Sequence, residues 1–145
     1  MIKAVLDTNT LVSGLIKRGQ GGIPDQILQR VATFELYLSE AILTETQQVL
    51  HYARIFNKYH LTDAQIETYL LYLRHIAIMV VNPPTLNVIK ADPKDNMILA
   101  CALEAQADYL VSGDTHLKDL KCCQGVTMIA PAQFLKKLRE LKGEV

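Results

Sequence analysis

Five short apolar runs, each separated from the next by a helical pattern, constrain this chain more than any other feature. Ile2–Leu6, Phe34–Leu38, Ile76–Val81, Tyr109–Val111 and Val126–Ile129 are rich in residues that favour strands and too short to stand as helices. Helical spacing fills the intervals. It covers Thr10–Ile16, a helix opened by Pro24 that carries Ile27, Leu28 and Val31, Glu40–Ala53 behind the N-cap Ser39, and Ala64–His75 behind Thr62-Asp63. Asp92-Pro93 then opens a helix that carries Met97, Ile98, Cys101 and Leu103, and Pro131 precedes a last helix over Ala132–Leu141. Strands alternating with helices predict an α/β fold, a mostly parallel five-stranded sheet with helices on both faces. No repeat, linker or low-complexity tract divides residues 1–145, which read as a single domain.

Right-handed crossovers carry every parallel strand in the same direction, so the strand C-termini share one edge of the sheet. Ligands of open parallel sheets bind beyond that edge. Asp7 closes the first strand and begins a loop, Ser39 closes the second, and Ser112-Gly113-Asp114 follow the fourth. Glu45 and Asp95 lie in the helices that follow Ser39 and Asp92. Carboxylates gathered without basic partners repel one another and need a cation between them. Hard divalent ions such as Mg²⁺ and Mn²⁺ take oxygen ligands, and they polarise phosphoryl oxygens and acidify water. Acids meeting at this edge therefore suit metal-assisted phosphodiester hydrolysis.

Each acid also has an ordinary structural explanation. Asp114 can cap a turn over Thr115–Leu120, and Asp92 can cap the helix that Pro93 opens. Asp95 stands where a capping-box acid would, and Glu45 is placed as an exposed glutamate beside an apolar stripe. Asp7 has no obvious helix to cap, since Asn9 serves the next helix better, and Thr8 or Asn9 is placed to orient its carboxylate.

Val5-Leu6-Asp7-Thr8-Asn9, Leu43-Thr44-Glu45, Asp92-Pro93-Lys94-Asp95-Asn96 and Val111-Ser112-Gly113-Asp114-Thr115-His116-Leu117 follow one another in the order and spacing of a PIN-domain ribonuclease. The resemblance runs from Met1 to about Leu135 and is closest to the toxin component of prokaryotic toxin–antitoxin systems. It implies a three-layer PIN-like fold and an endoribonuclease that uses Mg²⁺ or Mn²⁺ to hydrolyse single-stranded RNA; metal-bound hydroxide attacking phosphorus in line would leave 5′-phosphate ends. It also implies a homodimer and, for toxin members, an antitoxin protein that blocks the site. Matched residue by residue, Asp7, Glu45, Asp95 and Asp114 are the catalytic and metal-binding quartet, with Asn9, Asp92 and Ser112 auxiliary. The alternative is a PIN-like module that binds RNA or protein without cutting.

Composition narrows the remaining classes. Fifteen basic residues balance fifteen acidic ones, so any polyanion must be held by local patches or through bound metal; Lys17, Arg18 and Lys118 are the basic residues placed for RNA. No apolar run approaches the roughly 18 residues of a membrane span, and Met1 leads straight into a strand with no leader pattern, so a cytoplasmic protein is expected. Cys101 reads as a buried hydrophobe, and the adjacent Cys122 and Cys123 match no zinc ligand set. His51, His60 and His75 lie far from any strand end, whereas His116 is near enough to Asp114 to touch substrate. No Gly-x-Ser-x-Gly elbow or phosphate-binding loop occurs. An aspartyl-phosphate enzyme built on Asp7 would want a second acid where Asn9 stands.

Overall fold

A computed structural model describes residues 1–81, 83, 93–114 and 122–143, and within them the strands form one sheet. They are β1 (Lys3–Leu6), β2 (Glu35–Ser39), β3 (Ile78–Val80), β4 (Tyr109–Val111), β5 (Cys122–Cys123) and β6 (Val126–Ile129), ordered β3-β2-β1-β4-β6-β5. All neighbours pair parallel except β5, which runs antiparallel to β6. The expected five parallel strands are therefore present. The added strand is a hairpin arm: Gln124 and Gly125, at φ 49° and 89°, make the two-residue turn whose left-handed backbone matches strand twist.

Around the sheet lie α1 (Thr8–Ile16), α2 (Ile23–Gln29), α3 (Glu40–Leu50), α4 (Ala53–Phe56), α5 (Asp63–Ile76), α6 (Pro93–Glu104) and α7 (Pro131–Leu141). Central β1 is covered on both faces, and Ala4, Val5 and Leu6 are wholly buried, as continuous apolar runs in parallel sheets should be. Helix α6 packs over β1, β2 and β4, which carries its first turn to the edge where those strands end. Phe134 of α7 meets Phe34 edge-on at 5.2 Å between ring centres and also contacts Tyr109, closing the far side of the core.

Four expected boundaries move, each for a physical reason. Helix α1 begins at Thr8 rather than Thr10, because Asp7 itself caps it. After α2 the chain tightens into a 3₁₀ turn over Val31–Thr33 instead of carrying the helix to Val31. The expected Glu40–Ala53 helix stops at Leu50, and a separate turn of helix, α4, follows a break at His51-Tyr52. The run Ile76–Val81 is divided: Ile76 ends α5, whose start is fixed by a Thr62–Gln65 capping box, and only Ile78–Val80 extends as the edge strand. A continuous apolar run of this length cannot by itself tell a strand from a helix end.

Candidate functional site

Parallel pairing places Asp7 and Ser112 side by side. The Asp7 amide donates to the Val111 carbonyl at 3.0 Å, and the Ser112 amide donates to the Ile129 carbonyl at 2.9 Å, so the ladder continues through both strand ends. Asp7, 4% exposed, is held at both carboxylate oxygens. Oδ1 accepts from the Thr10 amide at 2.9 Å and from the Thr10 hydroxyl at 2.5 Å, while Oδ2 accepts from the Ser112 hydroxyl at 2.7 Å. The first pair is an N-cap, in which a carboxylate satisfies an otherwise unbonded N–H and sits at the positive end of the helix dipole.

The wholly buried Ser112 works in two directions. Its hydroxyl donates to Asp7 and accepts from the Asp114 amide at 2.9 Å, joining the first acid to the backbone of the last. Thr8 does the same service for the second acid, its hydroxyl donating to Glu45 Oε2 at 3.1 Å. The expectation that Thr8 or Asn9 orients Asp7 is therefore corrected: Thr10 and Ser112 orient Asp7, and Thr8 orients Glu45. Sequence pattern pointed to the near neighbours. The capping geometry instead reaches the third residue of the helix, and the sheet brings in one 105 residues away.

All four acids line one cleft of about 190 Å³ at the C-terminal edge of the sheet, together with Thr8, Asn9, Val49, Tyr52, Arg54 and Ile98. Asp7 arrives from the end of β1, Glu45 from the middle of α3, Asp95 from the first turn of α6 and Asp114 from the loop after β4. Asp95 is buried, whereas Glu45 and Asp114 are partly exposed. Asn9 is exposed at the rim, and Ser112 lies beneath the floor. Asp92, His116 and Lys118 fall outside the described residues.

Arg54 is the one cation among the described residues lining this cleft, its guanidinium 6.0 Å from the centre of the Tyr52 ring. Neither residue stood out in the sequence, because the helix break that turns them toward the cleft has no glycine or proline to announce it. Lys17 caps the far end of α1, and Arg18 lies over Tyr72, both away from the acids. Cys101, with no part in the cleft, is buried; loss of solvation pushes its thiol up to about 12, against the lowering effect of a Ser39 hydrogen bond.

The donor chemistry suits a hard divalent ion: carboxylate oxygens from four segments, without thiol or imidazole among the described residues that line the cleft. The geometry is not a finished cage. Among the described residues no three Asp, Glu, His or Cys side chains form a group that holds an ion as they stand.

No helix among the described residues is long and apolar enough to cross a membrane. Comparison with curated proteins finds no match. Comparison with protein families finds one, the PIN domain, over residues 3–116, a span that takes in all four acids and ends before β6 and α7. PIN domains are in general metal-dependent nucleases. On a match over most of its length, and on a parallel sheet that carries Asp7, Glu45, Asp95 and Asp114 into one cleft, the chain belongs to the PIN-domain family.

Proposed function

We propose that the protein is an endoribonuclease that hydrolyses phosphodiester bonds of single-stranded RNA with Mg²⁺ or Mn²⁺, of the toxin type. One observation carries this reading: four carboxylates, from segments as far apart in sequence as Asp7 and Asp114, line a single cleft that also presents Arg54. Asp7, Asp95 and Asp114 would hold one or two ions, with Glu45 completing the set or fixing a water. When bound, such ions polarise the phosphoryl oxygens and acidify the attacking water. The chain itself supplies position. Thr10 and Ser112 fix the Asp7 carboxylate, Thr8 fixes Glu45, and Arg54 neutralises a phosphate of the entering strand. Val49 and Ile98 make the apolar part of the wall.

Purified protein should cut single-stranded RNA with Mg²⁺ or Mn²⁺ and stop in EDTA, and Asp7→Asn should abolish cutting while the chain still folds. Asparagine keeps the oxygen that caps α1, and its amide can donate to Ser112; the buried Ser112 proton then loses its carboxylate acceptor, a cost of about 1–3 kcal/mol. Undiminished cleavage in EDTA or by Asp7→Asn would overturn the reading. An antitoxin that blocks the cleft and a homodimer, in a cytoplasmic setting, belong to the same proposal. A second reading, a PIN-like module that binds RNA or protein without cutting, draws on the absence of a finished ion cage among the described residues. Calorimetry separates the two: the nuclease predicts Mn²⁺ binding that Asp95→Ala weakens, and the module predicts none at millimolar Mn²⁺.

A further inference from the structure

A second cavity, of about 240 Å³, opens where α1, α2 and α5 meet. Gly14, Arg18, Asp25, Leu28, Tyr69 and Tyr72 are among the residues that line it. It lies toward the C-terminal end of α1, and Gly14 is roughly 10 Å along the helix from Asp7 at 1.5 Å per residue. Small-ligand sites are concave, with a few polar groups converging on an otherwise apolar wall. This cavity meets that description.

Asp25 supplies the negative group. It is 5% exposed, and its Oδ2 accepts from the Gly21 amide at 3.2 Å and from the Gln29 side-chain amide at 3.1 Å. Those bonds hold one oxygen and leave the other acceptor capacity of the carboxylate on a cavity wall. Tyr72 stacks against Tyr69, ring centres 6.4 Å apart, and carries the Arg18 guanidinium 5.6 Å from its own ring centre; Arg18 is exposed, so its guanidinium can move aside and cover a base laid on that ring. Tyr69 is fixed by donating its hydroxyl to the Leu11 carbonyl at 2.6 Å, and burial raises its phenol well above the ordinary range, so it stays neutral. Gly14 lets Leu28 and Tyr69 come this close, since a Cβ there would lie 2.6 Å from Leu28 and 2.7 Å from the Tyr69 hydroxyl.

We propose that this cavity binds one unpaired nucleobase, stacked on Tyr72 and Arg18, with its exocyclic amino group donating to Asp25. The chemistry favours a base over a simple ion, because the cavity offers a stacking face and groups of both charge signs. Single-stranded RNA is read this way, by bases splayed onto aromatic rings and guanidinium planes and bonded along their edges. Adenine, cytosine and guanine carry an exocyclic amino group; uracil has none, and its one edge donor, N3–H, lies between two carbonyl oxygens that a carboxylate repels, so it binds Asp25 less well. The inference deepens the ribonuclease reading and rests on it for biological meaning: a base seated here would lie a few nucleotides from the bond held among the acids.

The test uses the full chain, metal-free, titrated with adenosine, cytidine or uridine and followed by amide NMR. These probes have no phosphodiester bond to cut, so they report on the cavity whether or not the protein is a nuclease. Adenosine and cytidine should shift the amides of Gly14, Arg18, Gly19 and Tyr72, with uridine weaker by roughly tenfold, the scale of one well-made base contact. Arg18→Ala and Tyr72→Leu should weaken all three nucleosides alike, and Asp25→Asn, whose amide also donates, should erase the discrimination against uridine. Arg18 is exposed, so its variant keeps the test valid if Tyr72→Leu or Asp25→Asn unfolds. Shifts absent from this cavity, uridine bound as well as cytidine, or a response to arginine amide in place of any nucleoside would each overturn the proposal. If metal-dependent cleavage fails while these shifts appear, the nuclease reading falls and the base site stands.

Discussion

At the scale of the residue, the most consequential side chain beside the acids is Ser112, a buried hydroxyl that bonds Asp7 and the Asp114 amide together. Ser112→Ala leaves a buried carboxylate oxygen and a backbone N–H each short of one partner, a loss of about 1–3 kcal/mol. Urea unfolding should show that loss as a lower midpoint. Cleavage should fall as well, because Asp7 would keep only its Thr10 bonds. A variant as stable as the parent would show that the hydroxyl is dispensable. Asp7 was legible in the sequence as an acid closing a strand; its role as the cap of α1 was not. A shift of two residues in the start of α1 decides it, and element boundaries are where pattern reading is weakest.

At the scale of the element, the junction of α3 with α5 has a pH-sensitive tie. His51 follows the last residue of α3, with Nδ1 2.9 Å from the Gln47 carbonyl and Nε2 2.9 Å from the Asp63 carboxylate. Both partners accept, so both ring nitrogens donate only in the imidazolium. The Gln47 carbonyl first, and then Asp63, raises the His51 pKa above its ordinary value of 6.5. Because the folded value is the higher one, this stabilisation is complete below pH 6.5 and is lost as pH rises through the folded pKa. An NMR titration should give a His51 midpoint above 6.5 that drops in Asp63→Asn. A midpoint at or below 6.5 would contradict the assignment. The pair is surface-exposed, so the effect on melting temperature should be small. The helices themselves were mostly readable from apolar spacing and caps. The break at His51-Tyr52 was not, and that break carries Arg54 to the cleft.

At the scale of the whole molecule, balanced charge and an acidic cleft predict a particular kind of substrate binding. Fifteen basic and fifteen acidic residues give no general attraction for a polyanion, and the carboxylates oppose it locally. RNA affinity should therefore come from bound metal and from few cations, Arg54 first. Arg54→Ala should raise KM several-fold with little change in kcat. The slope of log KM against log salt should fall by about 0.7, the contribution of one phosphate contact to a single strand. An unchanged KM and slope would remove Arg54 from the RNA path.

The sequence by itself determined the alternation of strands and helices and the parallel sheet, and it singled out Asp7, Glu45, Asp95 and Asp114 at or just after the strand ends. These follow from local patterns: apolar runs, caps and the rule that parallel strands end on one edge. Tertiary structure alone decided what those acids touch. Ser112 reaches Asp7 across 105 residues, Thr8 reaches Glu45 across 37, and Tyr69 reaches the Leu11 carbonyl across 58. Such contacts depend on strand register and helix packing, which no local window of sequence contains. The base-sized cavity has the same origin, since Gly14, Asp25 and Tyr72 belong to three helices and share no motif.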